Sequence, residues 1–308
     1  MTTKLFGEPV RRREDARLIT GKGRYLDDIG AGALAAAFVR SPHAHARILD
    51  IDVAAALDVE GLLAIYTYED LVGPMAEPLP VLIPHPQLTA PRTGYPLAKD
   101  VVKHVGEAVV MVVATDRYVA EDAVDRIAVS YEELPVVVGV DAAREASALV
   151  HDDVPDNVAA RHHQETGDVE AALAASPHRL QFTQYVERSA AMPMEGKGVH
   201  ARWDDADSSL RVYTSTQAST SVRAAIAAKL ELSLEKVEVV APDVGGGFGV
   251  KIVHPWPEEL LVPMAARLLG HEVPSQTLKA GICGHLGPGG APRHGDLSLA
   301  TGALEQHG

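Results

Sequence analysis

Val239-Val240-Ala241-Pro242-Asp243-Val244-Gly245-Gly246-Gly247-Phe248-Gly249-Val250-Lys251 decides how the rest of this chain is read. A short apolar strand runs into a loop in which four glycines flank one phenylalanine and a lysine closes the turn. Glycine permits positive φ and lets backbone N–H groups come close to a ligand. Successive N–H groups in such a loop form an anion-binding concavity. A glycine run is also what an ordinary tight loop contains, and spacing alone leaves both readings open. The stretch has no G-x-x-x-x-G-K-S/T pattern, so it is not a phosphate-binding P-loop, and it is not a G-x-G-x-x-G turn opening a helix. What it cradles has to be decided by its surroundings.

The chain has 308 residues, room for about two domains at roughly 100–200 residues each. Apolar residues make up 46%, enough for a buried core. The net charge of -14 argues against a nucleic-acid footprint, which needs a basic face, and against a polybasic membrane anchor. No stretch approaches the roughly 20 apolar residues of a membrane span. Met1 to Arg13 lacks the apolar segment of a secretory signal, and Arg11-Arg12-Arg13 is not followed by one, so a soluble cytoplasmic chain is expected. The single cysteine, Cys283, excludes an internal disulfide or a cysteine metal cluster within the chain.

Outward from the loop, periodicity places most elements. Leu34–Arg40, Arg47–Val53 and Leu62–Thr67 read as strands, and Val101–Ala114 as a strongly apolar strand region buried on both faces. Asp116 is an N-cap for a helix carrying Val119, Ala120, Ala123, Val124 and Ile127 on one face. The prolines between Pro74 and Pro96 mark a long surface connection. Asp168 caps a short helix through Leu173, and Arg179–Glu187 reads as a strand. Gly198–Trp203 and Leu210–Thr216 form a hairpin, and 220–231 is a helix. Pro257–Leu269 is a helix that Pro263 should kink or split and that Gly270 should stop. His43 and His45, two apart, could share a strand face, but no third ligand lies nearby and a structural loop-edge role is the stronger reading.

Several segments resemble the large, molybdopterin-binding subunit of the xanthine dehydrogenase / aldehyde oxidase / aerobic carbon-monoxide dehydrogenase family. They are GEPVRRREDARLITGKGRYLDD (7–28), AAFVRSPHAHARI (36–48), VGEAVVMVVATDRYVAEDA (105–123), VSYEELPVVV (129–138), AAMPMEGKGV (190–199), YTSTQA (213–218), VVAPDVGGGFGVK (239–251) and PEELLVPMAARLLG (257–270). The resemblance covers about residues 5–273 and implies an α+β fold. It implies an N-terminal arm (1–17), an α/β hammerhead domain (18–138), a linker (139–166), a partial molybdopterin-binding α/β domain (167–273), and a tail (274–308) outside the family pattern and expected to be poorly ordered.

The resemblance also implies chemistry. It places Gln217 near a molybdopterin-type molybdenum cofactor and sets the backbone of Gly246, Gly247, Phe248 and Gly249 against it, with Phe248 shaping the substrate pocket. Lys251 either neutralises local charge or is solvated. The family's usual M-E-P-R-G turn appears with Gly196 and Lys197 in place of proline and arginine, which leaves an anchoring role at Glu195, Gly196 and Gly198 open. Purine-oxidising members carry a glutamate after the loop lysine. Ile252 stands there instead, which points toward aldehyde, carbon-monoxide-like or N-heterocyclic substrates. No catalytic residue is identified in this chain, because the family's base glutamate lies far downstream, and no protein metal ligand is expected. Iron–sulfur and flavin subunits are the implied partners. The implied activity is oxidative hydroxylation of a small molecule with water as the oxygen source, absent from this chain alone. The alternatives are one half of a split subunit and a non-catalytic assembly module. The tail from about Ser275, with eight glycines in 34 residues, is expected to be an out-of-register translation or an unrelated extension.

Overall fold

The computed structural model describes residues 6–7, 9–29, 34–81, 84–184, 192–252, 255–270 and 277–282. In chain order the elements are α1 (Asp15–Leu18), β1 (Leu34–Arg40), β2 (Ala46–Asp52), β3 (Leu62–Tyr66), β4 (Val101–Val102), β5 (Ala108–Ala114), α2 (Arg117–Asp125) and β6 (Ala128–Glu133). Then come α3 (Val140–Glu145), α4 (Val169–Ala175), β7 (Lys197–Asp204), β8 (Ser209–Thr214), α5 (Ser219–Lys229), β9 (Val237–Val240), α6 (Pro257–Gly270) and β10 (Thr277–Ile282).

The apolar run at 101–114 is broken by Lys103–Glu107. Gly106 has φ of 87° there, and Glu107 Oε2 accepts the Lys103 amide at 2.6 Å. The continuous strand expected across 101–114 is therefore two. β4 joins the small sheet β4-β2-β6, while β5 enters the seven-stranded sheet β3-β5-β1-β10-β7-β8-β9. Every residue of β5 is buried, as its unalternating valines require. Each such side chain contributes on the order of 1.5–3 kcal/mol of burial. α2 starts where Asp116 accepts the amides of Tyr118 and Val119, as its N-cap chemistry demands.

β7 and β8 form the expected antiparallel hairpin, and β9 adds parallel to β8. One buried apolar cluster includes residues of both halves of the large sheet, joining Phe38 and Met111 to Trp203, Leu210, Ile226, Leu260 and Leu261. β10 lies between β1, to which it is parallel, and β7, to which it is antiparallel. The rest of the 274–308 tail lies outside the described residues.

Three local expectations change. α6 runs through Pro263 without a break; Leu260, Leu261, Val262, Met264 and Ala265 are buried around it, and that burial outweighs the roughly 3 kcal/mol cost of an interior proline. Gly270 is the last residue of α6 rather than a stop beyond it. A Cβ there would fall 2.8 Å from Trp203 Cδ1, so close packing against β7 is its reason. Arg179–Gln184, expected as a strand, is irregular and unpaired with any described strand, with Leu180 and Phe182 exposed; residues 185–187 lie outside the described residues.

Candidate functional site

β9 delivers the chain into the glycine loop at Ala241. Gly246, Phe248 and Gly249 have φ of 98°, 51° and 92°. For phenylalanine that conformation costs on the order of 1–3 kcal/mol and marks a position held by its surroundings. Phe248 is 75% exposed. Two turn bonds close the far side, from Val250 N to Gly247 O at 3.1 Å and from Ile252 N to Gly249 O at 3.3 Å.

Gln217 follows β8, and its backbone is stitched to the end of the loop: Gln217 N donates to Lys251 O at 3.0 Å, and Thr216 Oγ1 donates to the same carbonyl at 3.2 Å. Its exposed side chain crosses the loop, where Oε1 accepts the Gly249 amide at 3.1 Å. Gln217, Gly247, Phe248 and Gly249 are thus brought together from segments some thirty residues apart, and the Phe248 ring lies beside Gly246, where a Cβ would fall 2.9 Å from its Cε2. A Cβ on Gly249 would meet nothing within 4 Å. Among the described residues, the amides of Gly246, Gly247 and Phe248 find no acceptor. Open space and unpaired N–H donors fit an anionic, oxo-rich group such as a molybdopterin-type cofactor. Among the described residues no group of His, Cys, Asp and Glu could hold a bare metal ion. His43 instead lies 3.4 Å from Glu133, and His45 Nδ1 lies 2.7 Å from Pro135 O.

Beneath the loop the charges are paired. Lys251 is buried, not solvated, with Nζ 2.6 Å from Ser215 Oγ and 3.2 Å from Glu195 Oε2. Burial raises the Glu195 carboxyl's pKa, but bonds from Ser215, Gly245, Leu26 and Lys251 outweigh it and leave the group below its ordinary value. Lys197 pairs with Glu259 at 2.6 Å, and Thr214 Oγ1 donates to the same oxygen at 2.7 Å. Burial holds the Lys197 ammonium's pKa below its ordinary value, with Glu259 opposing the shift. Arg40 of β1 pairs with the fully buried Glu258 of α6, tying the N-terminal half of the sheet to the loop's foundation. Just ahead of the glycines, Asp243 takes a two-pronged bond from Arg17 and the Arg24 amide at 2.8 Å. The Arg17 bond is the main cause that lowers its pKa to about 2.

Asp243, Glu258 and Glu259 were not foreseen from sequence. The two glutamates look like ordinary first-turn acids of a helix, and nothing in the pattern shows that both are buried. The one available signal for Glu195 and Lys197 was the altered M-E-P-R-G turn.

The arrangement defines a class: a sheet-borne loop of backbone donors, walled by a glutamine side chain, beside a hammerhead-type unit. Residues 20–135 match the aldehyde oxidase and xanthine dehydrogenase a/b hammerhead domain, and residues 150–276 match the molybdopterin cofactor-binding domain. The nicotine 6-hydroxylase large subunit of Paenarthrobacter nicotinovorans is 39% identical over 87% of this chain and 33% of its own length. The carbon monoxide dehydrogenase large chain of Hydrogenophaga pseudoflava is 34% identical over 85% of this chain and 33% of its own. The crystal structure of quinoline 2-oxidoreductase from Pseudomonas putida 86 superposes with a TM-score of 0.78 at 37% identity, covering 89% of this chain and 34% of that one. The chain belongs to the xanthine dehydrogenase / aldehyde oxidase / carbon monoxide dehydrogenase family of molybdopterin-binding large subunits, a family of molybdenum oxidoreductases. It spans about a third of the length of the relatives it matches. Among the described residues, no helix is long and apolar enough to cross a membrane.

Proposed function

We propose that this chain is the N-terminal portion of a cytoplasmic molybdenum hydroxylase large subunit, and that Gln217 and the Gly246–Gly249 backbone form one wall of its cofactor site. The observation that carries this reading is the Gln217 side chain lying across the loop on the Gly249 amide, beside donors that lack acceptors. When bound, the cofactor supplies the two-electron oxidation of substrate with water as the oxygen source. The chain's own residues bind and orient. The amides of Gly246, Gly247 and Phe248 donate to anionic oxygens, and the Gln217 side-chain amide, whose oxygen alone is engaged, has two N–H donors to add. Phe248 and the half-exposed Ile252 present apolar surface to a flat substrate. With Ile252 where purine-oxidising members carry glutamate, and with relatives named for nicotine and quinoline, an N-heteroaromatic substrate is favoured over a purine, an aldehyde or carbon monoxide. Iron–sulfur and flavin subunits receive the electrons.

The base glutamate belongs to the downstream part of such a subunit, so residues 1–308 alone do not turn over. The test is molybdenum and pterin analysis of the chain from a cofactor-producing host, alone and co-expressed with the remaining two-thirds of a related large subunit. Cofactor and heteroaromatic hydroxylation in the co-expressed sample support the reading. Activity of the chain by itself overturns the expected inactivity. No cofactor in either sample overturns the wall and leaves a non-catalytic assembly module.

A further inference from the structure

Under the glycine loop a single carboxylate is met by four donors from three parts of the chain. Glu195 Oε2 accepts the Ser215 hydroxyl at 2.6 Å, the Gly245 amide at 2.8 Å and the Lys251 ammonium at 3.2 Å, while Oε1 accepts the Leu26 amide at 3.3 Å. Lys251 Nζ also donates to the Glu195 backbone carbonyl at 2.9 Å and to Ser215 Oγ at 2.6 Å. Glu195 N returns a bond to Gly245 O at 3.1 Å. The packing is as tight as glycine allows, for a Cβ on Gly245 would fall 2.5 Å from Glu195 Cβ.

Gly245 and Lys251 are the two ends of the loop. Between them, Gly246 to Val250 make no bond to Glu195 among the described residues. The Lys251 side chain is 1% exposed, and Glu195 is its anionic contact. A buried ammonium that loses its counterion is strongly destabilised where it stands. The Gly245 amide would lose a charge-assisted acceptor in the same event.

We propose that Glu195 is the positioning residue of the glycine loop: its ionised carboxylate pins both ends and so sets the spacing at which the Gly246–Phe248 amides are presented. Burial favours its neutral form, yet the four donors together keep it ionised. The functional meaning rests on the loop being a cofactor wall; the clasp itself does not.

The chain supplies its own reporter. It has two tryptophans, and Trp256 Nε1 donates to Val250 O of the loop at 3.2 Å, whereas Trp203 Nε1 bonds Asp205 at the β7–β8 turn. In the full 308-residue chain, Glu195→Gln keeps the shape and removes the charge. The expected result is a moved 15N–1H indole signal for Trp256, assigned through Trp256→Phe, with the Trp203 signal unmoved. Chymotryptic cleavage after the exposed Phe248 should rise roughly tenfold, the scale of one lost charge-assisted hydrogen bond. A side chain that merely fills space would leave both unchanged, so an unmoved Trp256 signal with an unchanged cleavage rate overturns the proposal. Should Glu195→Gln unfold the chain, Ser215→Ala removes a single donor and must move the same signal in folded protein; an unmoved signal there overturns it equally. Molybdenum content of the same samples separates the two ideas. Metal-free wild type with a moved signal in Glu195→Gln counts against the cofactor wall alone, and an unmoved signal in metal-loaded protein counts against the clasp alone.

Discussion

Gln217 occupies the space that a side chain at Gly247 would need: a Cβ on Gly247 would fall 2.4 Å from both Cδ and Oε1 of Gln217. The conflict is with the far end of an exposed, flexible side chain, so Gly247→Ala should be cheap for the fold and expensive for the site. We expect stability within about 0.5 kcal/mol of wild type, as for most surface changes. The displaced Gln217 abandons the Gly249 amide, whose hydrogen exchange should accelerate while the β5 and α6 amides keep their protection. Unchanged exchange at Gly249 would mean that Gln217 does not hold the loop.

Lys197 and Glu259 are both almost wholly buried. Removing one partner of such a pair leaves a desolvated charge, at a cost of roughly 3–5 kcal/mol. Lys197→Met should therefore lower the urea midpoint steeply without changing the denaturant slope. Lys197→Arg, which restores the residue type of the family turn, should lose far less. Equal losses in the two variants would show that volume, not charge, matters at this position.

The Arg17–Asp243 clasp makes the loop's entry acid-labile in a defined window. The folded pKa of Asp243 is about 2, below the ordinary 3.8. A depressed carboxylate pKa gives stability that is fully present above the unfolded value and is lost as pH falls through the folded one. The melting temperature should thus carry this contribution at neutral pH and shed it between about pH 4 and pH 2. Asp243→Asn should be less stable than wild type at neutral pH, with the difference closing across that interval. A difference that stays constant with pH would assign the clasp no role.

Lys229, at the end of α5, forms no close ion pair among the described residues. Its ammonium donates to the carbonyls of Pro74, Glu77 and Pro78 at 2.6, 2.9 and 2.8 Å, and burial lowers its pKa. Those carbonyls begin the proline-rich connection, which has few donors of its own because proline carries no N–H. Lys229→Met should strip the Glu77 and Pro78 carbonyls of this donor, at about 1–3 kcal/mol, while Pro74 O keeps the Glu77 amide at 3.2 Å. The connection between residues 74 and 98 should then become the first site of limited proteolysis; cleavage elsewhere first would rule out the anchor.

Local chemistry was legible in the sequence and long-range pairing was not. The valine run of β5, the Asp116 cap and the β7–β8 hairpin are set by neighbours within a few positions, where periodicity and capping rules act. The candidate site was legible only through resemblance, since Gln217 and Gly249 belong to different elements. Arg17 and Asp243 are 226 positions apart, and Arg40 and Glu258 are 218 apart; no spacing rule reaches that far. Pro263 misled because its backbone cost is local while the burial that outweighs it comes from the sheet. Arg179–Gln184 misled in the opposite sense: its β-forming side chains meet no strand to pair with among the described residues.

β1 and β7 are not ladder neighbours; Thr277–Ile282 stands between them, parallel to one and antiparallel to the other. Ladder hydrogen bonds read direction and register, not side-chain identity. The ladder part of the seam between the hammerhead half and the cofactor half is therefore written in main chain, so it tolerates drift in its side chains and refuses mainly proline, which has no N–H to give, while side-chain pairs such as Arg40–Glu258 carry the rest.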